Sequence, residues 1–322
     1  MKLNKELLKQ LYVIKHPSNY ENEMTSFIIN FCHKLPGITF FIDHYSNLFI
    51  TKNTTNPNVY PCLIAHQDEA VRYKYNKKVV ERHPFMYGQY QESKKQCALG
   101  ADDANGIYVI LHLLEVLPNL KCVFTVEEEL GCQGAEQAVL NISFFENCQY
   151  FIQADRRGKS DLITISNGID ITSPHFLRDI EPVMRKHGYK DHQGVFTDVG
   201  VFVEALNLAG INVSCGYYNE HTMYEKVNTL ELENCLNFIH NVIIHLGDKT
   251  YPHVPELSYS QTYYFDEYDE TRGAYSQEMY DYHRRKEKEY LGKNAYYVPS
   301  DPLPCDSCVD FDCVNCDKTH SY

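Results

Sequence analysis

The sequence predicts an α/β fold: a mixed, mostly parallel central sheet with helices on both faces. Two observations over residues 1–250 carry that expectation. Apolar runs of strand length alternate with helical patterns of ten or more residues. His, Asp and Glu also gather just beyond several of those runs, where open α/β sheets bind their ligands.

In chain order, a helical pattern over Glu21–Lys34 precedes strand-length apolar runs at Thr39–Ile42, Asn47–Thr51 and Val59–Ala65. Helical spacing returns over Ala104–Leu117, directly after Asp102-Asp103, a short acidic pair able to cap the free N–H groups of a helix start. Lys121–Val126, Tyr150–Ala154 and Leu162–Ile165 are again strand-like. Phe176–His187 and Val199–Ala209 have helical spacing, Ile211–Ser214 reads as a strand, and Thr229–Leu246 ends the region as a long helix.

Residues 251–322 have a different character. They hold 12 of the 26 tyrosines, 14 acidic and 7 basic residues, few aliphatic ones, and one short charged helical pattern at Tyr280–Leu291. Such a segment is an extension with little core of its own. The expected organisation is therefore a domain over 1–250 followed by a tyrosine-rich acidic tail over 251–322.

Composition excludes several classes. No run among the 322 residues approaches the ~18 consecutive apolar positions of a membrane span. A net charge of −13 would repel a phosphate backbone, and HRRKEK at 283–288 is the one basic cluster, so no nucleic-acid partner is expected. The opening MKLNKELLKQLYVIK is too polar for a secretory signal, which predicts a cytoplasmic chain whose 12 cysteines are mostly reduced.

Two apparent motifs fail on inspection. Gly158-Lys159-Ser160 would need a glycine five places earlier to form a phosphate-binding loop, and that place holds Gln153. Pro304-Cys305-Asp306-Ser307-Cys308 matches half of a zinc-deaminase signature, but no histidine is followed two places later by glutamate.

The residues that carry chemistry follow strand ends. CLIA leads into His66-Gln67-Asp68, CVFTV into Glu127-Glu128-Glu129, YFIQA into Asp155, and INVSCGYYNE into His221. Leu99-Gly100-Ala101-Asp102-Asp103 stands before a helix. Mixed His, Asp and Glu suit borderline ions such as zinc, and Asp68 can orient the His66 ring through its other nitrogen. Paired metal ions need a bridging carboxylate, and of two adjacent glutamates one can bind metal while the other serves as general base.

Taken in order, LIAHQD, LGADDANG, VEEELGCQGA, IQAD and GYYNEHTMYE resemble the co-catalytic di-zinc exopeptidases, the clan of peptidase T, the zinc carboxypeptidase G type and the compact bacterial aminopeptidases. The resemblance spans about residues 1–250. It implies His66 as a zinc ligand oriented by Asp68, Asp102 as the bridge, Glu128 as base, and Glu129, Asp155 and His221 as further ligands. His221 and Glu225 match the family's closing H-x-x-x-E. Two divalent ions are implied, zinc first, with cobalt or manganese also accommodated. The family often has a basic residue after A-D-D, where this chain has Ala104-Asn105. Only 66 residues separate Asp155 from His221, too few for an inserted lid, so the resemblance is to the compact, lidless members.

The implied activity is peptide hydrolysis from a chain end by an aminopeptidase. A carboxypeptidase or N-acyl amino-acid amidohydrolase would use the same centre, and a silent binding protein would share the fold. Asp103 replaces Asp102 if the register shifts by one. Glu127 reads as a solvated neighbour of the glutamate pair. Thr197-Asp198, a pair found in peptidase T-like proteins, suits a helix cap. Tyr217 and Tyr218 are placed either to pack or to hydrogen-bond a tetrahedral intermediate. In the tail, Cys305, Cys308, Cys313 and Cys316 form two C-x-x-C pairs able to bind a structural zinc, although a spacer of four residues is short for one ion.

Overall fold

The computed structural model describes residues 1–71 and 76–255. The tail and its four-cysteine cluster therefore lie outside the described residues, apart from 251–255. Helix α1 (Lys5–Val13) starts at Asn4, whose side chain accepts the Leu7 N–H, and it buries Leu7, Leu8, Leu11 and Tyr12. After α2 (Asn22–Cys32), the hairpin of β1 (Ile38–Ile42) and β2 (Leu48–Asn53) leads into β3 (Tyr60–His66), buried along its whole length. Strands β4 (Lys77–Arg82), β5 (Phe85–Tyr90) and β6 (Gln96–Cys97) precede α3 (Ala101–Val116). The chain continues through β7 (Asn119–Thr125), α4 (Gln133–Ala138), α5 (Ile142–Phe145), β8 (Cys148–Arg156), β9 (Asp161–Ser166) and β10 (Ile169–Asp170). It ends with α6 (Pro174–His187), β11 (Lys190–Gly194), α7 (Asp198–Leu206), β12 (Gly210–Ser214), β13 (Tyr217–Tyr218), β14 (Lys226–Asn228) and α8 (Thr229–Leu246).

The main sheet has the order β1-β2-β7-β3-β8-β12-β9-β10, with β11 beside β9. Its inner strands β7, β3, β8 and β12 run parallel, and antiparallel pairing of β2 with β7 and of β9 with β12 flanks them. Buried residues of α1, α3, α6 and α8 pack on one face, among them Leu8, Tyr108, Phe176 and Phe238. On the other face α5 and α7 bring Phe145 and Phe202 edge-on against each other and onto Phe151 of the sheet. The α/β class, the inner parallel strands and the helices on both faces match the expectation from sequence.

All seven strands and all five helices expected over residues 1–250 are present, with ends shifted by a few residues, and the helical pattern at Tyr280–Leu291 lies outside the described residues. The sequence reading missed α1, a short amphipathic helix within a stretch that looked merely polar. It also missed a second small sheet, in which β4, β5 and β6 meet β14 and β13. Those strands are short and mixed in polarity, and β5 finds its partner far away, with Tyr87 opposite Lys226. Between Asp155 and His221 the chain is taken up by β9 to β13 with α6 and α7, leaving no inserted lid. Eight cysteines among the described residues are buried and free. Among the same residues, no helix is long and apolar enough to cross a membrane.

Candidate metal centre

The inner parallel strands bring four of the five chain segments to one edge of the sheet, beyond their carboxyl ends. His66 closes β3, and its Nε2 lies 3.0 Å from Asp102 Oδ1 and 3.7 Å from Asp155 Oδ1. His221, reached through β12 and β13, places Nε2 at 2.8 Å from Glu129 Oε1 and 3.2 Å from Asp102 Oδ2. Asp102 thus turns one oxygen to each histidine. The result is two triplets sharing one carboxylate: His66, Asp102 and Asp155, and His221, Asp102 and Glu129.

The two adjacent acids at the head of α3 make different contacts. Both residues leave helical geometry at the head of α3 and are joined by a cis peptide bond. Asp103 Oδ1 accepts the Gly106 N–H at 2.8 Å, a capping role, although Asp103 still lies within reach of His66 and Asp155. The Glu225 carboxylate accepts the backbone N–H groups of Leu99, Gly100, Ala101 and Asp102 at 2.8, 2.7, 2.7 and 3.2 Å. It ties the Asp102 segment to the His221 segment. Gly100 suits the turn there, since its φ of +73° is a backbone conformation that L side chains rarely adopt.

The turn after β7 is held by Asp68. Its Oδ1 accepts the Glu128 N–H at 3.0 Å, and its Oδ2 accepts the Glu129 N–H at 3.2 Å and the Ser18 hydroxyl at 2.8 Å. His66 Nδ1 is 3.4 Å from Asp68 Oδ1 but only 3.0 Å from the Asp68 backbone carbonyl. Asp68 therefore stands beside the imidazole with both its carboxylate and its carbonyl, and in addition holds the backbone N–H groups of the two glutamates, which sequence spacing could not reveal. Glu127 is half-buried, and Tyr45 donates its hydroxyl to the Glu127 carboxylate at 2.6 Å. Tyr217 donates to Asp155 Oδ1 at 3.2 Å, whereas Tyr218 donates to Glu231 and faces elsewhere. Gln153, unnoticed in the sequence, donates to Asp155 Oδ2 at 3.0 Å. Thr197 occupies the N-cap position of α7, but its hydroxyl makes no cap bond and donates instead to Gln153 Oε1 at 2.8 Å.

Charge at this edge is heavily negative and largely buried. Burial, with Asp102 close by, pushes Asp155 up to about 8. Burial also raises Glu128 well above the usual carboxylate range, with Asp155, Glu129 and Asp198 adding to it. Burial opposes protonation of His66 and His221, yet their carboxylate neighbours outweigh it and raise both. Glu129 Oε1 is buried and has His221 Nε2 beside it at 2.8 Å. Uncompensated buried carboxylates are costly, and two imidazoles with these carboxylates form a donor set suited to borderline divalent ions. The residues fit borderline divalent ions, and His221, at 28% side-chain exposure, lies on the open side.

With this geometry in hand, solved structures can be compared. The chain superimposes on aminopeptidase PepT from Bacillus cereus with a TM-score of 0.62 at 15% identity, over 76% of this chain and 99% of that one. A tripeptidase from Staphylococcus aureus gives 0.61 at 14% identity, over 74% and 96%. TET1 peptidase of Pyrococcus horikoshii, which can assemble into a tetrahedron or a large octahedral shell, gives 0.53 at 16% identity, over 73% and 97%. The chain shares its fold with these peptidases. No protein-family model matches the sequence, and no curated protein matches it.

Proposed function

We propose that this peptidase-fold chain is a metal-dependent exopeptidase, an aminopeptidase acting on peptides through two zinc ions. The observation that carries the reading is Asp102, whose two oxygens divide between His66 and His221 at 3.0 and 3.2 Å. His66, Asp102 and Asp155 would hold one ion, and His221, Asp102 and Glu129 the other. Bound there, divalent cations supply Lewis acidity to a scissile carbonyl and to water. Glu128 takes the proton of the attacking water and hands it to the departing amine nitrogen. Asp68 keeps Glu128 and Glu129 on their separate tasks by holding both backbone N–H groups. Tyr45 draws the Glu127 carboxylate into a hydrogen bond of its own.

Zinc-loaded protein acting on a mixed peptide pool, half of it N-acetylated, tests the reading by mass spectrometry of the products. Trimming of only the free peptides from their amino ends is expected. Trimming from the carboxyl end, free and acetylated alike, would replace the aminopeptidase by a carboxypeptidase. Survival of both sets with zinc bound would overturn the exopeptidase assignment.

A further inference from the structure

A buried cluster stands beside Glu128 and belongs to neither ligand triplet. Asp198, the first residue of α7, is fully buried, and Thr125 at the end of β7 donates its hydroxyl to Asp198 Oδ2. Asp198 Oδ1 has no hydrogen-bond partner among the described residues. Cys132 lies between the two acids. Its Sγ donates to Glu128 Oε1 at 3.7 Å and also comes within hydrogen-bonding reach of Asp198, so that donor atoms of all three residues fall within 4.8 Å of one another.

The backbone holds the thiol in that position. Cys132 has φ +58° at the entrance to α4, and its N–H donates to the Glu128 carbonyl at 2.8 Å. Two residues on, Gly134 packs so closely that a Cβ would stand 2.0 Å from the Val126 carbonyl oxygen, which fixes the turn against β7. Burial, with Glu128 and Asp198 nearby, pushes the thiol well up from its ordinary range, so it keeps its proton.

We propose that Cys132 and Asp198 are positioning residues for the base: the thiol donates to Glu128, and Asp198, also within its reach, keeps it beside that carboxylate. The proton of the thiol stays on sulfur throughout. The arrangement holds Glu128 against the turn without locking it, as a base that must both take and release a proton requires. Asp198 supplies the second acceptor, and its unbonded oxygen, otherwise an expensive feature of a dry interior, has a use. This inference rests on Glu128 acting as the base.

The test compares full-length zinc-loaded wild type with Cys132→Ala, Cys132→Ser, Asp198→Ala and Glu128→Ala, using a peptide substrate. Zinc content and the affinity for acetohydroxamate, which binds zinc and meets a neighbouring base, are measured beside kcat and KM. Cys132→Ala and Asp198→Ala are expected to lose roughly ten- to a hundredfold in kcat, the worth of one hydrogen bond to a charged group, with KM and zinc content unchanged. Acetohydroxamate should bind more weakly to both, and Cys132→Ser, which keeps a donor, should regain most of the loss. Should Asp198→Ala fail to fold, the cysteine pair decides alone. The proposal is overturned if Cys132→Ala retains full kcat, if Cys132→Ser is no better than Cys132→Ala, or if zinc is lost in step with activity. If Glu128→Ala is itself active, the reading of the base fails; a silent Glu128→Ala beside a fully active Cys132→Ala removes only the present proposal.

Discussion

Asp68 accepts the backbone N–H of Glu128 at 3.0 Å, so a residue beside the histidine on one strand end also sets the turn that follows the neighbouring strand. Its carboxylate is fully buried and its oxygens are shared among Glu128, Glu129, Ser18 and His66. Asp68→Ala should therefore weaken zinc binding and activity together, each by roughly ten- to a hundredfold, as for other groups that orient ligands. Equilibrium dialysis beside steady-state kinetics checks this. Loss of activity with zinc affinity untouched would separate Asp68 from the metal shell.

Glu128→Gln should keep both ions and the fold while kcat falls by about 10²- to 10⁴-fold, since the amide cannot accept the proton. Metal analysis and circular dichroism establish the first part. Turnover within a factor of a few of wild type would move the base elsewhere.

Glu225→Ala would strip four backbone donors of their acceptor in a buried segment. Each unsatisfied buried group costs roughly 1–3 kcal/mol before relaxation, so a clear loss of stability is expected. The loss should extend to the metal site, because Asp102 belongs to the segment that Glu225 holds. Thermal unfolding and zinc stoichiometry report the two effects, and a normal stoichiometry in the folded variant would show that Asp102 holds its place unaided.

Chelation should make stability strongly pH-dependent. In the metal-free fold Asp155 rises from 3.8 to about 8, through burial and then Asp102, so the folded chain binds a proton that the unfolded chain has released. His66 and His221 are raised above 6.5 by their carboxylates despite burial, and their contribution is lost as pH climbs through the raised values. Both effects have the same sign: metal-free protein should lose stability steadily from pH 5 to pH 8. Burial notwithstanding, His221 and His66 hold Asp102 low, so its opposite contribution disappears only in strong acid. Saturating zinc should raise the Tm most at the alkaline end. A metal-free Tm that increased with pH over this range would contradict the assignment.

The sequence by itself determined the α/β class, the long helices, the inner strands and the segments that meet at their ends. Those follow from apolar periodicity, a local property, and from His, Asp and Glu standing just past strand-length runs. It also set the pair Asp102-Asp103 before a helix, but left open which of the two would face the histidines. Tertiary structure decided that question, through a break in helical geometry and four N–H bonds to Glu225, a residue more than a hundred positions away. The same holds for Tyr45 on Glu127, Ser18 on Asp68, and the group of Glu128, Cys132 and Asp198. A hydrogen bond between distant segments leaves no period in either one. Spacing along a chain records what a residue does to its own helix or strand, and only the packed fold determines which buried donor meets which acceptor.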